Sequence, residues 1–396
     1  DPFFADRARR GGWWRRLGQA LLSLGQLTEC DGDTRTALAL LGAPPPSSTS
    51  GWTWLLLRQI ARQVGHLVLP SWTYERPGQR LRLAEAAQAA AMVSRLAFFK
   101  NDALRMICAG FLAVNLAERA GGGVQAARNY AGLGFLCGFV GLKGLSRRYY
   151  ARGRRVAEET ADWSGVLVVL TTEALHRIGE ARWEEAEALL HEAEPLCDKT
   201  GDAQDRELVW TLLGHPAHYR GRFENAIAFY DRALASARER NNPQTAAWAL
   251  YCTARTRIDT GDLAGAIVLL DEARTLLASQ PDEMSEIATL GLLARAHALQ
   301  GTREEAREIA RLAAKRLDRA QSAVFLIGYG VEGVAEAALL DWRNGDAKAA
   351  RTARRAARRL RSLARTFPVW LPAASRLEER IHLAGGEQKT KIGGSR

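Results

Sequence analysis

The residues of this chain that could do chemistry are few, and none has the company that catalysis requires. His215-Pro216-Ala217-His218 sets two imidazoles three residues apart, on one face of a helix, as a metal pair would need. No third ligand can be named, and Pro216 removes a backbone donor between them. The two histidines are therefore either ordinary polar residues of a packed helix or contacts to a partner. Glu184-Glu185 and Glu304-Glu305 are paired carboxylates, but each pair opens a helix. There it favours the positive end of the helix dipole, by a few tenths to about 1 kcal/mol per residue. Gly141-Leu142-Lys143-Gly144-Leu145-Ser146 lacks the Gly-x4-Gly-Lys-Ser/Thr spacing that cradles phosphates. Gly121-Gly122-Gly123 has neither a lysine nor a preceding strand, so both read as connections between helices. No Ser, Cys or Thr sits in a nucleophile elbow, and no catalytic residue, metal site or cofactor is expected.

Cys30, Cys108, Cys137, Cys197 and Cys252 are widely spaced, without a CxxC pair or a histidine at zinc-ligand spacing. They read as reduced packing residues of a cytoplasmic protein. The formal charge of +11 comes almost wholly from arginines spread along helices and offset by many glutamates, which is the pattern of a solvated surface. Arg351, Arg354, Arg355, Arg358, Arg359, Arg361 and Arg365 concentrate that charge on the last long helix. The aromatic interleaving of a single-strand binder is missing there. The longest apolar stretch, 52–69, is interrupted by Arg58, Gln59, Arg62, Gln63 and His66, which form one polar stripe. This is an amphipathic helix docked on protein, rather than a membrane span. The first methionine is Met92, so the chain is expected to begin mid-protein.

The elements that must position any functional side chain are announced by a repeat. A Gly-x-x-x-x-Ala turn recurs at Gly221–Ala226, Gly261–Ala266, Gly301–Ala306 and Gly345–Ala350, with an earlier copy in which Ala181 replaces the glycine. The anchoring alanines 186, 226, 266, 306 and 350 are spaced by 40, 40, 40 and 44 residues. Seven residues beyond each stands another alanine, at 193, 233, 273, 313 and 357, two turns along the same face. Asp162, Asp202, Asn242 and Asp282 keep the same step, where each next helix needs a capping oxygen or a turn former. Each unit is thus a first helix of about 16 residues, a turn and a second helix of similar length. Neither helix buries its apolar face alone, so the hairpins must stack into an all-α solenoid.

Trp210, Leu213, Gly214, Gly221, Phe223, Ala226, Tyr230 and Ala233 stand at the eight signature spacings of the tetratricopeptide family, which this unit resembles. The period is stretched from that family's 34 residues, and the closing proline departs from its pattern. Three strings are similar to the C-terminal region of bacterial ATPases linked to class III adenylate or guanylate cyclase, or kinase, domains. They are Thr36–Gly42, Phe98–Asp102 and Asn115–Gly121, within a resemblance spanning roughly residues 20 to 280. In that family the catalytic and ATPase modules precede a helical tail, which implies that this chain is the tail and that any enzyme lies upstream. Residues 1–19, with Trp13-Trp14 among five arginines, do not follow the pattern.

The expected organisation is an N-terminal helical segment and Pro/Ser linker over 1–51, divergent helical repeats over 52–160, regular repeats over 161–384 and a disordered tail over 385–396. Helices are expected at 52–69, 79–99, 102–120, 124–140 and 145–160 in the divergent part. The expected function is protein interaction and regulation, as the arm of a multidomain signalling ATPase or nucleotide cyclase. The partner is another protein or the upstream catalytic domains, held in a groove lined by first helices. By position, Thr211, His215, His218, Tyr219, Thr253, Arg257 and Arg295 line that groove. The alternative is a nucleic-acid-binding transcriptional regulator using the basic helices.

Overall fold

The computed structural model describes residues 2–23, 26–68, 77–100, 102–278, 282–320 and 325–393. Among these there is no strand. The helices are α1 Pro2–Ser23, α2 Leu27–Leu40, α3 Thr49–Val68, α4 Pro77–Phe99, α5 Ala103–Arg119, α6 Val124–Phe139, α7 Lys143–Glu159, α8 Trp163–Gly179 and α9 Trp183–Thr200. They continue as α10 Ala203–Tyr219, α11 Phe223–Glu239, α12 Pro243–Thr260, α13 Leu263–Leu277, α14 Glu283–Gln300, α15 Arg303–Leu317, α16 Ile327–Arg343, α17 Ala349–Thr366 and α18 Leu371–Gly393. Asn101 and Leu69, which belong to one of the strings and to the apolar stretch named above, lie outside the described residues, as do 394–396 of the expected tail.

The turns explain why the hairpins repeat. Gly221, Gly261, Gly301 and Gly345 all take positive φ, between 76° and 99°, a region closed to most side chains. Ala181 stands in the same conformation at φ 59°, where its Cβ is strained. Two of the four capping residues act as the sequence requires: Asn242 accepts from the Thr245 amide and Asp282 from the Ser285 amide, each at 3.1 Å. Asp282 also accepts from Gln244 at 2.9 Å and from the Trp248 indole at 3.1 Å, so one cap ties α14 to the preceding α12. Asp162 lies 3.5 Å from Arg128.

The chain divides into two compact units, one of residues 1–174 with 189–202 and the other of 175–188 with 203–396. In the second unit each helix packs on the next, and the first helices α10, α12, α14, α16 and α18 also pack on one another in order. The anchoring alanines of the second helices are all buried. Gly214 exists because the Tyr230 ring lies where its Cβ would be, and Gly291 and Gly333 because α14 and α16 cross backbone to backbone. The basic helix α17 buries Ala353, Ala356, Ala357 and Leu360 while Arg351, Arg355, Arg358 and Arg365 face solvent. Arg361 pairs with Glu378, and Arg359 donates to the Leu317 carbonyl at 3.0 Å.

α18 continues through Gly393, across most of the segment expected as a tail. Its residues 387–391 suit a helix, and Ala384 anchors it in a cluster with Leu339, Trp342, Ala349 and Ala350.

In the first unit the order is less regular. α1 and α2 both pack on α4, and α3 packs on α5. Gln59, Gln63 and His66 of the polar stripe of α3 face inward while Arg58 is exposed, so this amphipathic helix docks partly by its polar side. Gln59 and Gln63 are buried, while Trp54, Leu57, Ile60 and Val64 are exposed. The reason is a polar centre. Asn115 donates to the Gln59 carbonyl and side chain at 2.9 and 2.8 Å. Glu118 on α5 takes Tyr130 at 2.8 Å, Arg152 at 3.2 Å, Gln63 at 3.5 Å and His66. No helix among the described residues is long and apolar enough to cross a membrane.

Candidate partner-binding face

In the second unit the polar side chains that leave solvent lie mainly on the first helices. The 40-residue step sets His215, Arg255 and Arg295 at equivalent places on α10, α12 and α14. Those helices are packed on both sides, so each polar group must find a partner inside the protein or stay unsatisfied, at a cost of about 1–3 kcal/mol.

One group of them forms a chain that runs across the repeats. The His218 ring, on α10, meets the Thr256 hydroxyl at 2.9 Å through Nδ1 and Asp259 at 3.1 Å through Nε2. Asp259 accepts from Arg295 at 2.7 Å. Arg295 lies 3.7 Å from Glu332 of α16, which lies 3.9 Å from Arg376 of α18, and Glu336 pairs with Arg380. Burial, with the nearby Arg255 charge, holds His218 down to about 4. The ring is therefore neutral at pH 7, with its proton on Nε2 toward Asp259. Burial by itself raises the Asp259 carboxyl, but the His218 hydrogen bond and the Arg295 charge outweigh it and hold the group below the carboxylate range. For Glu336 burial wins over Arg380, and its carboxyl is raised.

A second group is aromatic. Tyr219 stacks on Trp183 with centroids 4.7 Å apart, and its hydroxyl lies 3.3 Å from that of Tyr329. This contact joins α10 to α16, three repeats along. Tyr329 in turn meets Trp370 edge-on at 4.8 Å. His215 is set edge-on to Tyr230 and Phe325, both at 6.2 Å, and burial drives its imidazole well below the ordinary range.

Of the residues named from the sequence, His218, Tyr219 and Arg295 lie in these two groups and His215 beside them. Thr211 is buried and its hydroxyl donates back to the Glu207 carbonyl at 2.8 Å. Thr253 is buried, with its hydroxyl unpartnered. Arg257 is not brought to the others: it pairs with Asp262 at 3.2 Å across the turn into α13. His215 and His218 have separate neighbours and share no ligand point, since His215 Nε2 faces Cys252 Sγ at 4.0 Å. Among the described residues no three His, Cys, Asp or Glu side chains converge as metal ligands. Sequence reasoning passed over Arg255, Asp259, Tyr329 and Glu332. The 40-residue step from His215 was a signal for Arg255; nothing in the spacing pointed to Tyr329.

No family model matches the chain, and no curated protein matches its sequence. Its structure is similar to that of a Rap protein complexed with competence and sporulation factor, with a TM-score of 0.57 at 11% identity, covering 98% of this chain and 100% of that one. It is also similar to the Rap conjugation gene regulator of the plasmid pLS20 in complex with the Phr* peptide, with a TM-score of 0.55 at 13% identity, over 91% and 96% of the two chains. A third likeness is to a signal transduction ATPase with numerous domains carrying a tetratricopeptide repeat sensor, from Pyrococcus horikoshii. There the TM-score is 0.50 at 14% identity, over 95% of this chain and 55% of that one. The fold is an α-solenoid of tetratricopeptide-like repeats with a period of about 40 residues.

Proposed function

We propose that this chain is a regulatory, protein-interaction module that captures a peptide or protein segment on the face lined by its first helices. The observation that carries the reading is the contrast between the two helices of each repeat. Second helices bury alanine and leucine, which only hold the stack, whereas first helices also bury His215, Thr253 and Arg255, whose unpartnered polar atoms cost stability unless something uses them. Two similar structures hold a partner named as a factor or a peptide, and the third carries its repeats as a sensor. In line with the third and with the resemblance in the strings above, the module acts in the cytoplasm as the arm of a multidomain signalling ATPase or nucleotide cyclase, biasing a catalytic part encoded upstream.

The nucleic-acid alternative has less support. Away from α17, exposed arginines engage carboxylates, as in Arg154 with Glu158 and Glu192, Arg220 with Glu184 and Glu187, Arg238 with Glu272 and Arg316 with Glu286, which leaves the solvent-facing Arg351, Arg355, Arg358 and Arg365 of that one helix as the strip available. A basic strip for phosphates needs its charges uncommitted.

The test uses random heptapeptides selected on the full chain. The double variant His218→Ala, Tyr219→Ala is expected to bind the selected peptides at least about tenfold more weakly, the size of one lost buried polar contact. Its helical circular dichroism stays that of the wild type. Unaltered binding rules out the first-helix face.

A further inference from the structure

Arg255, on α12, is buried at 3% exposure among neutral groups. Its guanidinium lies 4.6 Å from the centre of the Tyr219 ring and 5.6 Å from that of Tyr329. Cys252, Tyr230, His215 and His218 are its other neighbours. Among the described residues no carboxylate lies within ion-pair distance of it: Asp259 and Glu332 face Arg295, and Glu336 faces Arg380. One of its three nitrogens is used, Nη1 donating to the Tyr329 hydroxyl. Nε and Nη2 donate to nothing.

Those two nitrogens share one edge of the guanidinium. Their N–H bonds point the same way, and that edge is the one that meets both oxygens of a carboxylate in a side-on, bidentate pair. The surroundings are unsatisfied as well. His215 Nδ1 has no partner, and the Tyr230 hydroxyl, which makes no well-formed hydrogen bond, lies beside the guanidinium as the neighbour that could engage it. A fold that buried a cation for packing alone would satisfy its donors or give it an acid, because unmet donors on a charged group cost more than neutral ones. Here the pairing edge is buried among the first helices without an acceptor.

We infer that the Nε/Nη2 edge of Arg255 binds a carboxylate of a captured peptide, either its C-terminal group or an Asp or Glu side chain. This rests on the partner-face reading above and adds the partner's chemistry. The guanidinium brings one positive charge between tyrosine rings. A carboxylate neutralises it, whereas a phosphate, carrying roughly 1.5 charges at pH 7, leaves negative charge buried without a partner.

The test follows the Nε–H resonance of Arg255 in the full chain labelled at arginine nitrogen, assigned by its loss in Arg255→Lys. Sodium acetate and sodium phosphate are titrated in turn at constant ionic strength. Acetate is expected to move the resonance to saturation, and phosphate to move it little. Tyr230→Phe removes the one hydroxyl placed to compete for the edge, and acetate is expected to act on it as on the wild type. The selected heptapeptides are then compared with forms amidated at the C-terminus and forms in which Asp and Glu become Asn and Gln, a comparison that needs no variant of the chain. One of the two changes is expected to weaken binding about ten- to hundredfold, as for loss of a charge-assisted pair, and which one does so identifies the source of the carboxylate. The inference is overturned by a resonance indifferent to acetate, by an equal response to phosphate, by loss of the acetate response in Tyr230→Phe, or by both peptide forms binding like the parent. In that last case the peptides still bind and the partner face stands. A saturable acetate shift with no heptapeptide selected overturns the partner face instead and leaves an anion site without a peptide.

Discussion

Each unit buries charged and polar side chains, and the two do so in opposite ways. In the first, Gln63, His66, Tyr130 and Arg152 converge from three helices on a single carboxylate, Glu118. In the second, the groups are strung out along the repeats from His218 to Arg376, about one step per first helix, and Arg255 is left with an open edge. A convergent arrangement suits an irregular region, where one anion can hold together helices that share no common spacing. A periodic arrangement inherits its spacing from the repeat and reaches along the stack, which is what a surface that must follow an extended segment requires.

The largest test of this contrast is to remove the point of convergence. Glu118→Ala leaves the donors around it unpaired and is expected to cost about 3 kcal/mol in urea unfolding. A loss under about 1 kcal/mol would mean that α3 is held by something else. Next comes acidity, which singles out the periodic arrangement. In the unfolded chain an imidazole takes its proton near 6.5, while His218 is held neutral down to about 4. Between those values only the unfolded chain binds the proton. Stability is full above about pH 6.5, declines toward pH 4 and then levels off, by at most about 3 kcal/mol for this one group. His215 acts in the same sense, and Asp259, held low, adds its own loss at still lower pH. Urea midpoints at pH 7 and 4.5 measure the slope, and His218→Gln is expected to flatten it; an unchanged slope in that variant assigns the effect elsewhere. The smallest effect concerns the regularity itself. Ala181→Gly relieves an alanine held at φ 59° and is expected to raise stability by about 0.5–1 kcal/mol, read as a higher Tm. A lower Tm would show that the turn tolerates the alanine without strain.

The repeat was legible in the sequence because each of its parts has a local cause. Glycine at positive φ, alanine where helices touch and a capping oxygen before each first helix are single-residue requirements, and α10 to α15 begin and end close to where they demand. The first unit was legible as helices and not as a packing. The Pro/Ser segment before Thr49 frees α3 from its chain neighbours, and its pairing with α5 through Gln59, Gln63 and His66 uses residues that a hydrophobic pattern would leave to solvent. At the candidate face, His218, Tyr219 and Arg295, named by helix position, stand among buried polar neighbours. Arg257 stands apart from them because Asp262, five residues on, draws it to the turn. Tyr329 could not be found from spacing, since its role depends on a contact with Tyr219 three repeats away, which no single residue announces.

The hydroxyl-to-hydroxyl contact of Tyr219 with Tyr329 acts as a clasp, and a clasp sets a toll on its guest. A guest that enters between α10 and α16 must wait until it has parted. If about one molecule in a hundred is parted at a given moment, a guest binds about a hundredfold more weakly than its own contacts dictate. Loosening the clasp, as Tyr329→Phe would, then strengthens binding without adding a single contact to the guest.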